Sequence, residues 1–210
     1  MAVTFSISVS VDGYVAGPNQ GTDHPLGEGG EALHDWALPL RTFREGHGRE
    51  GGETGPDDDV LRETFERPGA AIMGRKMFGG GPGPWDESWK GWWDDDPPFR
   101  YPVFVLTHHP REPLVFDNGT TFTFVTDGIE SALEQARAAA GERDVQISGG
   151  AQAIQQYLAA GHVDDFQLSV APVMLGGGER LFEAVPPLDV EIDRVVATPN
   201  ATHLRYRVRR

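Results

Sequence analysis

The chain contains no cysteine. That absence excludes a disulfide framework, thiolate zinc and iron–sulfur centres and a cysteine nucleophile, and it fits a reducing compartment. Cations are scarce: 18 Lys plus Arg stand against 32 Asp plus Glu, a net charge of -14 in 210 residues. Nucleic acid, whose phosphates demand a basic face, is therefore not an expected partner, and an anionic membrane surface would repel the chain. No apolar run approaches the roughly 18 residues of a membrane span. The first 13 residues also lack the basic flank and continuous apolar core of a secretory signal. The expectation is a soluble, cytoplasmic protein. No pair among the seven histidines (24, 34, 47, 108, 109, 162 and 203) sits at i, i+4 with a Glu between, so no metal site is expected. The G-x-S-x-G elbow, the P-loop G-x-x-x-x-G-K and a G-x-G-x-x-G after a strand are absent as well.

What is present suffices for one sizeable core, since about 200 residues make a single large domain and fall short of two. Val3, Phe5, Ile7, Val9 and Val11 alternate with Thr4, Ser6, Ser8 and Ser10, the period of a strand with one buried face. Residues 70–73 and 103–106 are short and continuously apolar, as central strands are, and they imply helices above and below the sheet. Helical stripes run over 57–66 (Leu61, Phe65), 128–140 (Ile129, Leu133, Ala136, Ala140) and 151–159. A further helical pattern over 31–44 (Leu33, Trp36, Leu40, Phe43) contains Pro39, which should kink or end it. Period two returns at 165–170, 188–192 and 204–209, so the class is α/β with a mixed sheet and an antiparallel ending. Two glycine-rich stretches, 46–56 and 79–84, read as flexible loops inside one domain, because neither side of either holds enough strands to close a core. Such loops often border sites.

Three strand ends carry chemistry. MGRKMF (73–78) places Gly74, Arg75 and Lys76 after an apolar strand, a close backbone approach beside two cations that suits a phosphate. VFVLTHHPR (103–111) sets Thr107, His108 and Arg111 at a second strand end, an anion pocket or an ordinary turn punctuated by Pro110. In VQISGGAQ (145–152), Ser148, Gly149 and Gly150 lead into a helix starting at Ala151 and Gln152, whose free N–H groups can face a pyrophosphate. Ligands of α/β sheets sit beyond the C-terminal strand ends, so the three turns would converge if their strands are parallel neighbours. Together they read as a site for a dinucleotide phosphate cofactor.

These motifs, with SVDGYVAG (10–17) before them and LSVAPVMLGGGERLF (168–182) after, resemble the dihydrofolate reductase superfamily. Within it the chain is most similar to the C-terminal reductase domain of the bifunctional riboflavin-biosynthesis deaminase-reductase. The resemblance spans nearly the whole chain and is poorest over 17–59. It implies a dihydrofolate reductase-like three-layer α/β/α sandwich around a central mixed, mostly parallel sheet with an antiparallel C-terminal edge. It also implies NADPH as hydride donor and a small heterocyclic substrate, with 5-amino-6-(5-phosphoribosylamino)uracil first and dihydrofolate or another pterin second; an unrelated carbonyl or nitro compound is the third alternative. Arg75 and Lys76 would then meet the cofactor phosphates, and Thr107, His108 and Arg111 the adenosine 2′-phosphate. A cis Gly149–Gly150 bond would lie beside the pyrophosphate and nicotinamide. Asp12 would be the catalytic and substrate-orienting residue, with Gly13 and Trp85 also at the substrate, although Asp12 before Gly13 is equally a turn aspartate and Trp85, Trp89, Trp92 and Trp93 could simply pack beneath loops. Glu31 and Asp35 are only loose counterparts of the acidic residue by which folate reductases hold the pterin. The zinc signature of the deaminase half is missing, which assigns any deamination to another protein. One-sheet reductases of this kind often pair, so a homodimer is expected. The rival class is a nucleotide- or flavin-binding protein on the same scaffold without turnover.

Overall fold

The computed structural model describes residues 1–209. In chain order they form β1 (Val3–Ser10), β2 (Tyr14–Ala16), a 3-10 turn (Gly30–His34), α1 (Arg41–Gly46), α2 (Pro56–Glu66), β3 (Pro68–Gly74), α3 (Arg75–Phe78), β4 (Pro102–Leu106), β5 (Leu114–Val115) and β6 (Thr121–Val125). There follow α4 (Gly128–Ala140), β7 (Asp144–Gly149), α5 (Ala151–Ala159), β8 (Asp165–Ala171), β9 (Glu179–Arg180), β10 (Val190–Ala197) and β11 (Thr202–Val208).

Nine strands make one sheet in the order β10-β11-β8-β1-β7-β3-β4-β6-β5. From β8 to β6 every neighbouring pair is parallel, and antiparallel pairing is confined to β8–β11, β11–β10 and the short β5 edge. β8 thus faces both ways, parallel to β1 and antiparallel to β11, so the antiparallel ending begins one strand later than its period suggests. β2 and β9 form a separate two-stranded ribbon. Pro39 does divide the 31–44 pattern, into the 3-10 turn and α1.

One sheet face packs Val3, Phe5, Ile72, Ile147 and Phe166 under α4 and α5, whose Leu133, Ile154, Tyr157 and Leu158 are buried. The opposite face differs from expectation in two ways. Beneath Ala71, Met73, Val103 and Val105 the cover is not a helix but the aromatic stretch from Phe78 to Tyr101, with Trp89 and Trp93 packed on Phe78 and Phe122. Beneath β1, the serine side expected to be solvated is closed over by α2 and the 3-10 turn, leaving Thr4, Ser8 and Ser10 buried. Hydrogen bonds make that burial tolerable: Trp36 Nε1–H donates to Ser8 Oγ at 3.0 Å, and Thr4, Asp165 and Arg67 are linked side chain to side chain. Among the described residues no helix is long and apolar enough to cross a membrane, and no cluster of three or more His, Asp or Glu is placed to hold a metal.

Candidate functional site

The parallel order β7-β3-β4 brings the three strand-end motifs to one edge. Register pairs Met73 with Gly149 and Gly74 with Leu106, so Gly74, Thr107 and the glycine pair are immediate neighbours. A Cβ built on Gly74 would lie 3.8 Å from both Gly149 O and Gly150 N, ordinary contact that fixes how close the two turns run. Gly149 has φ 123°, which side chains rarely adopt, and its peptide bond to Gly150 is cis. Beyond it α5 begins, its Ala153 N–H returning to Gly150 O at 3.1 Å. The N–H groups of Ala151 and Gln152 therefore precede the helical ladder, at the end where an anion is favoured. Nothing stands within 4 Å of a Cβ built on Gly150: the backbone there borders open space.

β3 delivers Arg75 to the same edge. Its guanidinium carbon lies over the Trp85 ring, 3.7 Å from the centroid, and all three of its nitrogens are sealed from solvent without a hydrogen-bond partner. Arg111 approaches the same indole at 5.3 Å and is almost fully buried, at 1% side-chain exposure. Its Nη2 donates to Glu87 O at 2.9 Å, while its Nε stands 3.4 Å from the Glu87 carboxylate without closing a hydrogen bond. Burial, and then the charge of Arg111, push the Arg75 guanidinium below its ordinary pKa. Buried donors without acceptors are rare in folded proteins. Here they lie on two adjacent cations, an arrangement with the chemistry to hold an anion.

The other expected residues separate. Lys76 is exposed and ion-paired to Glu179 of β9 at 3.0 Å. Thr107 is buried, its hydroxyl accepting from His109 N at 3.1 Å, and His108 points into solvent beside it. Trp85 stands with the cations rather than with Asp12. Asp12, past the end of β1, accepts from Leu175 N at 3.1 Å and Gly176 N at 2.7 Å. The Ser10 hydroxyl, ahead of those N–H groups, holds its carboxyl down at about 2. Gly13 is next to it with φ 87°, and Tyr14 carries the Arg180 guanidinium at 4.6 Å. Glu87 carries no signature in the sequence, whereas Glu179 and Arg180 close the GGGER stretch of 176–180, which reads as a flexible connector or as a border of the substrate pocket.

A model of the RibD C-terminal domain family matches residues 1–204. The chain belongs to that family. Among curated proteins it is 27% identical over 157 residues to the uncharacterized protein YyaP of Bacillus subtilis strain 168, covering 70% of this chain and 78% of that one. Solved structures share the fold. A putative riboflavin biosynthesis protein from Shewanella sp. PV-4 superposes with TM-score 0.65 at 22% identity, over the whole of both chains. A pyrimidine reductase-like protein from Corynebacterium diphtheriae gives 0.57 at 14% identity, with 100% of this chain and 92% of that one covered. The Thermotoga maritima diaminohydroxyphosphoribosylaminopyrimidine deaminase/5-amino-6-(5-phosphoribosylamino)uracil reductase gives 0.55 at 13% identity, with 99% of this chain matched to 56% of that one. The RibD C-terminal domain family is one of reductase-like, dihydrofolate reductase-fold domains, as the resemblance implied.

Proposed function

We propose that this RibD C-terminal domain is an NADPH-dependent reductase of a small heterocycle, of the 5-amino-6-(5-phosphoribosylamino)uracil type. The observation that carries the reading is the meeting, on one edge of a parallel sheet, of a glycine pair bordering open space with two guanidiniums, five of whose six nitrogens have no hydrogen-bond partner. The residues fit a phosphorylated dinucleotide. Arg75 and Arg111 would hold its outer phosphate, and Gly149, Gly150 and the first N–H groups of α5 its pyrophosphate. From β4 across β3 and β7 to β1 is three strand spacings, about 14 Å, so a ligand anchored at Arg111 and Arg75, beyond the ends of β4 and β3, can extend along the edge to Asp12.

The coenzyme supplies the hydride, and the protein's share is positioning and exclusion of water. Asp12 holds the loop at Leu175 and Gly176, which with the Tyr14–Arg180 contact fixes the β2–β9 ribbon over the β1 end of the site. Two facts support a substrate in the riboflavin pathway: the family, and the names borne by the Shewanella and Thermotoga proteins.

Titration of the purified chain with NADPH and with NADH, followed by quenching of tryptophan fluorescence, tests the coenzyme. Turnover is then sought as loss of reduced-nicotinamide absorbance with the ribosylaminopyrimidine phosphate and with dihydrofolate. Saturable binding that favours NADPH is expected. Binding of neither nucleotide sinks the reading, and binding without turnover on any substrate turns it into that of a nucleotide carrier.

A further inference from the structure

Segment 85–87 ties together two cations that start from different strands. The Trp85 ring carries Arg75, at the end of β3, and Arg111, in the turn after β4, at 3.7 and 5.3 Å. Its Nε1–H is bound to His109 O at 2.7 Å, and two residues on, Glu87 O takes a hydrogen bond from Arg111. Edge contacts with Phe78 and Phe124 hold the indole from below.

The choice of an aromatic here has a chemical consequence. Guanidiniums repel one another, and a carboxylate between them would relieve the repulsion but occupy their donors. An indole attracts each cation through its face and leaves the in-plane N–H groups free. Three nitrogens of Arg75 and two of Arg111 are accordingly without hydrogen-bond partners, the exposed Glu87 carboxylate standing 3.4 Å from Arg111 Nε as an ion pair with that residue alone. Two such forks fit a group with three acceptor oxygens and close to two negative charges, which describes a phosphomonoester near neutral pH. Each phosphorus of a pyrophosphate diester carries one charge and fewer free oxygens, so it matches the pair less well. The nitrogens are sealed from solvent, and such burial strengthens their attraction for a phosphate.

We infer that Trp85 is a specificity-determining residue, which by presenting Arg75 and Arg111 to one phosphomonoester makes the chain prefer the nicotinamide coenzyme that bears the additional phosphate. The inference rests on the coenzyme reading above and moves Trp85 from a wall of the substrate pocket to the far end of the coenzyme.

Calorimetric titrations of wild type, Trp85→Leu and Trp85→Phe with NADPH and NADH test it. Trp85→Leu should weaken NADPH about tenfold or more, the loss of one charge-assisted hydrogen bond, with NADH held within about twofold and most of the preference retained in Trp85→Phe. Parallel losses for both nucleotides, or no loss, would reduce Trp85 to packing and overturn the inference. Wild type binding both coenzymes equally overturns it too, while leaving the coenzyme reading intact; wild type binding neither removes both. Should Trp85→Leu fail to fold, Arg111→Met makes the same comparison, with a loss confined to NADPH expected and parallel losses overturning the inference.

Discussion

The carboxylate of Asp12 clamps the backbone of Gly176, 2.7 Å from its N–H, across 164 residues of sequence. With Leu175 N bound by its other oxygen, both oxygens are engaged in holding the β8–β9 loop. The residue expected to orient or protonate a substrate therefore also anchors the loop that leads into β9. Asp12→Asn, whose amide keeps only one acceptor oxygen, should lower kcat/KM about tenfold, the effect of one lost charge-assisted hydrogen bond. Because Asp12 is held at about 2, against 3.8 for a free carboxyl, its contribution to the loop is complete above about pH 4 and lost as pH falls through 2. Between pH 5 and 9 the shape of the rate profile should thus be unchanged by the substitution. A limb of the profile that disappears in Asp12→Asn would make Asp12 a proton-transfer group instead.

Arg75 sets binding against stability. Removing it forfeits one stacked cation–π contact, about 0.5–2 kcal/mol, but also abolishes buried donors without acceptors and a repulsion with Arg111, about 1–3 kcal/mol together. The second effect is the larger. Arg75→Met should therefore be at least as stable as wild type to urea in the absence of nucleotide, by up to about 1 kcal/mol, while losing NADPH affinity at least tenfold. Urea unfolding of the two proteins checks it, and a variant destabilised by more than about 1 kcal/mol would mean that stacking on Trp85 satisfies the guanidinium.

Much of this was legible in the sequence because it lies in local patterns. The apolar runs at 70–73 and 103–106 and the helical stripe at 128–140 all appear as β3, β4 and α4, and the strand-end glycines stand together because parallel neighbours share an edge. What was hidden depends on distant partners. Thr121–Val125 alternates in only five residues, and β2 and β9 exist only through each other. The serines of β1 read as a solvent face because nothing local announces that Trp36, Thr64 and Gln167 will meet them. Trp85 could be read as a wall or as packing, since its partners Arg75 and Arg111 lie 10 and 26 positions away on opposite sides.

His203 lies between Ser169 Oγ and Asp57 Oδ1, 2.9 Å from each, in the order of a hydrolytic triad. Burial removes that chemistry: Ser169 and His203 are 2% exposed and Asp57 6%, so an acyl substrate has no approach. The three instead bolt α2 to β8 and β11, with Thr198 and Asn200 also donating to Asp57. Asp57→Ala leaves buried donors unpaired and should cost about 2–3 kcal/mol, with an unchanged urea m-value. Ser169→Ala, which deletes only a hydroxyl, should cost about 1 kcal/mol. Matched small losses in the two variants would show that the network is not a unit.

Gly150 separates the needs of the fold from those of the ligand. Its φ of -71° is open to any residue, and a Cβ there would meet nothing within 4 Å. Gly149 is different, with φ 123° and a built Cβ 3.3 Å from Met77 Sδ, so Gly149→Ala should strain the chain by about 1–3 kcal/mol. Gly150→Ala should leave the free energy of unfolding in urea within about 0.5 kcal/mol of wild type. Yet its methyl would project into the space where a pyrophosphate must approach the backbone, so NADPH and NADH should both weaken, by about tenfold or more. The equal loss distinguishes this end of the site from the Arg75–Trp85–Arg111 end, where only NADPH should suffer. Unaltered binding in a normally stable Gly150→Ala would place the dinucleotide away from the β7–α5 turn.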